Sequence, residues 1–211
     1  WDIEEIVYKA VLYGYQGVEF RMLAGNPVTP DMPEAIRRRI KVLCQDNGLD
    51  ICVVGSGCKF SSADAAERAA NVQQLRRFVD LAAYWEAPIV RVFGGPHPDG
   101  IGKDDIYGHV ADGIAAVLPE AAAAGVKLAL ETHDDFSTSS AVAAVFERVD
   151  DPELGCVWDV LHPYRFGETY RATLDVIRDR VVHVHFKNAR QVGDGWEPSM
   201  PNDGDLPLRE I

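Results

Sequence analysis

One pattern recurs along the chain and constrains its fold more than any other feature. An amphipathic helix is followed by a turn, often with glycine, and then by a short strand rich in β-branched residues. In the first helix, one face is apolar because of the spacing of Ile3, Ile6, Val7, Ala10 and Val11. Gly14 ends this helix, and Gly17–Phe20 follows as a strand. Strict alternation of helices and strands predicts parallel strands joined by right-handed crossovers.

The alternation predicts six strands, each preceded by a helix. The strands cover residues 17–20, 51–54, 89–93, 126–131, 155–159 and 181–186. The helices carry apolar stripes within residues 3–11, 36–44, 64–85, 110–121, 142–149 and 169–178. Residues 204–211 resemble the start of a further helix.

Composition excludes several classes of protein. The 211 residues are 47% hydrophobic and 26% charged, which is typical of a soluble globular protein and excludes a disordered chain or a coiled coil. No apolar run approaches the ~20 residues that span a bilayer, so no membrane partner is expected. With 21 basic and 33 acidic side chains the net charge is −12, which argues against nucleic acid as a partner. A local basic pocket for a small anion remains compatible with this charge.

The cysteines indicate a reducing environment. Cys44, Cys52, Cys58 and Cys156 form no C-x-x-C pair and have no histidines at zinc-finger spacing. The N-terminus, Trp1–Glu5, is an acidic helix start without the basic region of a signal peptide. We therefore predict reduced thiols in a cytoplasmic protein.

Two architectures fit the alternation: an open doubly wound sheet and a (β/α)8 barrel. No G-x-G-x-x-G follows any strand, so the dinucleotide fingerprint of the open sheet is missing. Side chains capable of chemistry end four strands, namely Glu19, Glu131, Asp159 and His185. A barrel gathers all its strand ends around one mouth, whereas an open sheet does so only at its switch point. The sequence therefore predicts a TIM barrel.

A complete barrel has eight strands and about 250 residues. This chain opens on a helix, so we expect a strand before Trp1, and a last helix and strand after Ile211. Residues 1–211 are accordingly predicted to form a single TIM barrel domain that is incomplete at both ends and lacks the first and eighth strands.

Three of the strand-end residues suit a metal ion. Because strand side chains alternate between faces, Glu131, Asp159 and His185 can converge at the barrel mouth. Two carboxylates and an imidazole suit one divalent cation such as Mn²⁺, Co²⁺, Zn²⁺ or Mg²⁺. Structural roles compete with this hypothesis: Glu131 could be a solvated acid, Asp159 a helix N-cap, and His185 a core histidine. Glu19 could line the mouth or pair with Arg91 inside the barrel, and we expect the pairing.

Longer motifs carry a resemblance to a known family. Glu131–His133, Trp158–Pro163 and His183–Asn188 resemble, in order and spacing, motifs of the xylose isomerase-like TIM barrels. This superfamily includes the sugar phosphate isomerases and epimerases and is also similar to endonuclease IV. The Gly17–Phe20 strand and the Gly-Asp-Leu-Pro segment at 204–207 match as well, so the resemblance covers nearly the whole chain.

The resemblance implies a metal site and substrate contacts. The family binds one divalent metal through a Glu, an Asp, a His and a second Glu, and the first three correspond to Glu131, Asp159 and His185. The second Glu ends the eighth strand, which this chain is expected to lack. His162 matches a position that contacts substrate in the family, while Lys187 faces solvent or binds an anionic or hydroxyl group. The further substrate-binding candidates are His133 and Arg165.

The leading functional hypothesis is a metal-dependent sugar isomerase or epimerase. Its substrate would be a small polyhydroxy carbonyl compound, either a sugar or a sugar phosphate, and Glu131 would move a proton next to the carbonyl through an enediolate. A dehydratase on the same scaffold could expel a hydroxyl group with His162 or His133 as general acid. An endonuclease IV-like phosphodiesterase is disfavoured because no histidine ends the 51–54 strand. A non-catalytic domain remains an alternative, and the sequence leaves a homo-oligomer open.

Overall fold

The computed structural model describes the whole chain, Trp1–Ile211. The strands are β1 (Gly17–Phe20), β2 (Met22–Leu23), β3 (Asn26–Pro27), β4 (Asp50–Lys59), β5 (Ile89–Phe93), β6 (Lys127–Glu131), β7 (Leu154–Asp159), β8 (Val181–His185), β9 (Asn188–Val192) and β10 (Gly195–Ser199). The α-helices are α1 (Ile3–Leu12), α2 (Glu34–Asp46), α3 (Ala65–Trp85), α4 (Lys103–Ala115), α5 (Leu118–Ala123), α6 (Ser139–Val149), α7 (Leu161–Arg165) and α8 (Tyr170–Ile177).

The main sheet contains the six predicted strands in the order β1-β4-β5-β6-β7-β8, and every neighbouring pair is parallel. β1 and β8 are its two edges, yet a side-chain oxygen of Glu19 on β1 lies 2.9 Å from His185 Nε2 on β8. A flat sheet could not bring its edges that close, so the sheet curls around a common interior. The predicted barrel architecture is confirmed in this form, as six curled parallel strands with helices outside.

Apolar residues pack against both faces of the sheet. Between the sheet and the helices lies the main core of 45 buried apolar residues. Inside the curl, a small cluster of Val53, Ile89, Ala129 and Val157 fills the interior. Ala129 and Val157 each precede a carboxylate by two residues on the same strand face, so this cluster forms the floor beneath Glu131 and Asp159.

Side chains that cap the backbone define where two of the helices begin. Asp2 accepts a hydrogen bond from the Glu5 backbone N–H and caps α1, whose buried face contains Ile3, Val7 and Ala10. Thr169 caps α8 in the same way by accepting from Ala172. These caps satisfy backbone groups that the first helical turn leaves without partners.

Two predicted elements differ from the structure. The single helix expected over 110–121 is divided between α4 and α5, because the ring of Pro119 would clash with the carbonyl of Ala115 in a continuous helix. The helix expected from 204 onward is only a 3₁₀ turn at Leu208–Glu210.

Two hairpins, β2–β3 and β9–β10, were not expected from the sequence. All four cysteines are free thiols, as predicted. None of the helices combines the length and the apolar character needed to cross a bilayer.

Candidate active site at the carboxyl ends of the strands

The three predicted metal ligands lie together at one end of the sheet. Glu131, Asp159 and His185 are the last residues of β6, β7 and β8, and the β7–β8 register pairs Asp159 directly with His185. One ligand atom from each lies within 4.8 Å of the other two. Strand alternation therefore brings the predicted set together, while the metal-binding role itself stays a prediction.

Glu131 is a buried acid of the site, with 3% of the residue exposed. Its Oε1 lies 2.8 Å from His185 Nδ1, and its Oε2 lies 3.2 Å from Arg91 Nε. Burial opposes ionisation, but the hydrogen bond from His185 and the charge of Arg91 outweigh it and lower the pKa of Glu131. Glu131 is therefore a carboxylate at neutral pH.

Arg91 is a buried cation beneath the mouth, 2% exposed. It donates from Nη1 to the Ser56 carbonyl at 2.7 Å, while its Nε N–H does not point along the line to Glu131 and has no hydrogen-bond partner. The attraction between Arg91 and Glu131 is thus mainly that of two close charges. Arg91 pairs with Glu131, so the expected Glu19–Arg91 pair is wrong.

Gly55 is needed for this arrangement. A Cβ at position 55 would lie 2.8 Å from Arg91 Nη2 and 3.1 Å from Glu19 Oε1, closer than side-chain atoms normally approach. Any larger residue would push both charged groups out of place.

Glu19 joins the site from β1 and bridges two histidines of β8. Its Oε2 lies 2.9 Å from His185 Nε2 and 3.3 Å from His183 Nε2. Burial raises the pKa of Glu19, but hydrogen bonds from both histidines and the charges of His185 and Arg91 reverse the effect and lower the pKa to about 2. The sequence analysis weighed a place for Glu19 at the mouth but favoured pairing with Arg91; the structure places Glu19 in the lining of the mouth, one residue before the end of β1.

His185 lies between two ionised carboxylates, Glu19 and Glu131. Since a carboxylate can only accept, both ring nitrogens of His185 donate, which requires an imidazolium. Burial alone lowers the pKa of His185, but hydrogen bonds to Glu131 and Glu19 and their charges overcome it and raise the pKa to about 9.

Asp159 is 1% exposed and holds two neighbours in place. Its Oδ1 accepts from the Leu161 backbone N–H at 3.0 Å, at the start of α7, although the N-cap position of that helix is Val160 and not Asp159. Its Oδ2 lies 2.6 Å from Lys187 Nζ. Burial raises the pKa of Asp159, and the charge and hydrogen bond of Lys187 only partly offset it.

His162 stands beside this pair on α7. Its Nε2 lies 3.1 Å from Lys187 Nζ, which donates, so the proton of the neutral ring is on Nδ1. That Nδ1 is buried and has no partner. Burial, then the charges of Lys187 and other nearby cations, lower the pKa of His162 to about 2. His162 is itself buried and does not line the cavity at the mouth; it lies behind Lys187 and His133, which do.

The remaining substrate-binding candidates differ in position. His133 lines the cavity, bonds Asp134 Oδ1 at 2.8 Å, and lies between the rings of Phe93 and His162 with centroid distances of 4.6 and 4.4 Å. Arg165 does not line that cavity; it lies 3.4 Å from the Ser137 hydroxyl group.

The cavity at this mouth has a volume of about 190 Å³ and is lined almost entirely by polar side chains. A larger groove of about 430 Å³ runs along α1 and β1, but its lining is mainly apolar and Glu19 is its only acid. We locate the candidate site in the smaller cavity, because the titratable groups converge there.

The donors fit a divalent cation. Ligand atoms about 2.0–2.2 Å from one ion lie up to ~4.4 Å apart, so groups within 4.8 Å need only a small adjustment. Glu131, Asp159 and His185 supply the mixed oxygen and nitrogen donors that Mn²⁺, Co²⁺ and Zn²⁺ accept. Two further groups overlap with this one: Glu19, His183 and His185, and Glu131, His133 and His162. His185 would have to release one proton to bind an ion.

A comparison with known families decides the classification. The sequence profile of the xylose isomerase-like TIM barrels matches residues 7–211. The chain belongs to this family. The resemblance carried by the three strand-end motifs is thereby confirmed.

Individual members of the family are distant in sequence. The chain is 22% identical to the fructoselysine 3-epimerase of Shigella flexneri over 99% of its own length and 79% of that protein's. It superposes on the crystal structure of the IOLI protein with a bound zinc atom with a TM-score of 0.84, at 15% identity, over 99% of this chain and 77% of that one.

A probable 3-DHS dehydratase, AsbF from Bacillus anthracis, superposes with a TM-score of 0.74 at 22% identity, over 90% of this chain and 69% of that one. These similarities establish the fold, and the relatives include a sugar epimerase and a dehydratase.

Proposed function

We propose that this protein is a divalent-metal-dependent isomerase or epimerase of a sugar or sugar phosphate. The observation that carries the proposal is the convergence of Glu131, Asp159 and His185 at the barrel mouth, next to a polar cavity. Membership of the family and the similarity to fructoselysine 3-epimerase support a sugar substrate.

In the proposed site, Glu131, Asp159 and His185 hold one divalent cation. That cation would supply Lewis acidity toward a carbonyl oxygen and a neighbouring hydroxyl oxygen of the substrate. The choice among Mn²⁺, Co²⁺, Zn²⁺ and Mg²⁺ is left open by these donors. The zinc bound in the IOLI protein belongs to that protein and only adds Zn²⁺ to the ions worth testing.

Glu131 is the proposed proton carrier. Its carboxylate takes the proton from the carbon next to the carbonyl, the C–H electron pair moves into a carbon–carbon double bond, and the carbonyl oxygen gains the negative charge of an enediolate. Return of a proton to the other face or the neighbouring carbon gives the epimer or the isomer. Arg91 keeps Glu131 ionised and oriented from below.

Side chains around the cavity are proposed to bind the substrate. Lys187 and His133 line the cavity. His162 stays a candidate that lies outside the cavity lining, with its Nε2 3.1 Å from Lys187 Nζ and its ring against that of His133. Arg165 stays a candidate for contact with a longer substrate, since it lies outside this cavity.

A dehydratase is the second candidate, favoured by the structural similarity to AsbF. Its first step is the same proton abstraction, followed by loss of a hydroxyl group with help from a general acid. His162 suits that acid role poorly because its pKa is lowered to about 2, which leaves His133.

The two reactions differ in what happens to solvent deuterium. The metal-loaded protein is incubated in heavy water with a panel of ketoses and ketose phosphates, and the recovered sugar is analysed by NMR. An isomerase or epimerase places deuterium next to the carbonyl without loss of water, whereas a dehydratase yields a dehydrated product. The Glu131→Gln variant should lower the exchange rate by at least about 10²-fold. The control Glu153→Gln, at an exposed acid on a loop, should leave it unchanged.

A further inference from the structure

Arg21 stands at the boundary between two cavities. It follows β1 immediately, two residues after Glu19, and lines the site cavity of about 190 Å³. It also lines a second cavity of about 160 Å³, whose walls come from the β2–β3 hairpin and the Gly55–Gly57 segment. Phe93 is the other residue shared by the two cavities. The two spaces are therefore neighbours that meet at Arg21.

Every other basic side chain that lines the site cavity has an acidic partner. Arg91 pairs with Glu131 and Lys187 with Asp159, at 3.2 and 2.6 Å. His185 bonds two carboxylates, and His133 bonds Asp134. The backbone carbonyl of Arg21 accepts from the Val28 N–H at 2.9 Å, but its guanidinium forms no ion pair and no hydrogen bond. It is the one cation of the cavity lining whose charge no carboxylate of the chain neutralises.

The position of Arg21, rather than the lack of an ion pair alone, distinguishes it from other arginines. Some exposed arginines form ion pairs, as Arg76 does with Glu120 and Arg77 with Asp31, and others such as Arg38 form none, but Arg21 is the unpaired one that lines the site cavity. Arg21 also lies near Arg91, whose pKa is lowered by burial and further by the charge of Arg21. Two neighbouring guanidinium groups repel each other, so an anion bound beside Arg21 would relieve that repulsion.

We propose that Arg21 and the second cavity form a subsite for an oxyanion carried by the substrate, either a carboxylate or a phosphate. A guanidinium binds both groups through two parallel N–H···O bonds. Each cavity alone is smaller than the roughly 300–1,000 Å³ of most ligand clefts, but together they reach that range. The reacting carbonyl would lie beside Glu131 and the anion beside Arg21. The assignment of the reacting end rests on the proposed function, whereas anion binding at Arg21 does not.

The test compares three forms of one sugar: D-fructose, the same sugar with a terminal phosphate, and the same sugar with a terminal carboxylate. Isothermal titration of the Mn²⁺-loaded protein gives the Kd of each. We expect at least one anionic form to bind about tenfold or more tightly than D-fructose. In Arg21→Gln this preference should fall to about twofold or less. Arg38→Gln, on exposed α2 and without an ion pair, should retain it.

The result identifies the anion and separates the two proposals. If only the phosphate or only the carboxylate form binds more tightly than D-fructose, that result identifies the anionic group and supports the subsite. Equal affinity for all three forms, no binding of any, or an unchanged preference in Arg21→Gln overturns it. Mn²⁺ binding is measured in the same preparations. If Mn²⁺ binds but the protein does not prefer the anionic sugars, only the subsite proposal fails. If Mn²⁺ does not bind but the preference for an anionic sugar depends on Arg21, only the metal proposal fails.

Discussion

The ammonium group of Lys187 lies 2.6 Å from Oδ2 of Asp159, a carboxylate that is 1% exposed. Lys187 therefore neutralises the acid that we propose as a metal ligand, and it does so from the side of the cavity. A divalent cation bound to Asp159 would be repelled by this ammonium at short range. Lys187 and the metal thus compete for one carboxylate.

Replacing Lys187 with methionine should strengthen metal binding. The Lys187→Met variant keeps the length of the side chain and removes the competing charge, so we expect the Kd for Mn²⁺ to fall by about tenfold, or ~1.4 kcal/mol. Titration calorimetry measures it. Lys127→Met is the control, because Lys127 begins β6 at the opposite end from the site. An unchanged or weaker affinity in Lys187→Met would refute the competition.

The stability of the metal-free protein should depend on pH through His185. Its pKa is raised to about 9 in the folded chain, above the ordinary value of about 6.5. The contacts of the protonated His185 with Glu19 and Glu131 stabilise the fold fully below pH ~6.5. This stabilisation is lost as the pH rises through ~9 and the ring loses its proton. We expect the free energy of unfolding to fall by on the order of 2 kcal/mol over this window.

Urea unfolding in the presence of a chelator measures this dependence. His185→Gln removes the titrating group and should flatten the curve between about pH 6.5 and about pH 9. A wild-type protein whose stability is constant or rises across the window would contradict the imidazolium between Glu19 and Glu131.

Removing Arg91 should destabilise the fold strongly. Its partner Glu131 is 3% exposed, so Arg91→Met leaves a buried carboxylate with only His185 to compensate it. Breaking a buried pair in this way costs about 3–5 kcal/mol, whereas breaking an exposed pair costs much less because water screens the charges. Arg77→Met, which breaks the exposed pair with Asp31, is the matched control. Similar losses in the two variants, measured by urea unfolding, would argue against a buried charge pair.

Much of the fold followed from local patterns. All six strands of the main sheet were predicted, because each follows an amphipathic helix and is rich in β-branched residues. The split between α4 and α5 could have been predicted from Pro119, since a proline disrupts the turn that precedes it. The β9–β10 hairpin has a turn signal in Gly193-Asp194-Gly195, with Gly193 at a positive φ of 59°, which the helix–strand alternation obscured.

The site was predicted only in part. Glu131, Asp159 and His185 were found because each ends a strand, and strand ends meet at the barrel mouth. Glu19 and Arg21 share a strand face, but which charges pair across the interior depends on the curl of the sheet. The sequence therefore could not predict that Glu19 contacts His185, or that Arg21 has no acidic partner. The orphan Nδ1 of His162 likewise depends on packing that no local pattern encodes.

The central claim is that Glu131, Asp159 and His185 bind one divalent cation, and Mn²⁺ titration of the chain tests it most directly. We expect the wild-type protein to bind about one Mn²⁺, and Glu131→Gln, Asp159→Asn and His185→Gln each to weaken binding by at least about tenfold. Glu153→Gln should bind as the wild type does. Absence of Mn²⁺ binding, or an affinity that none of the three variants changes, would contradict the account.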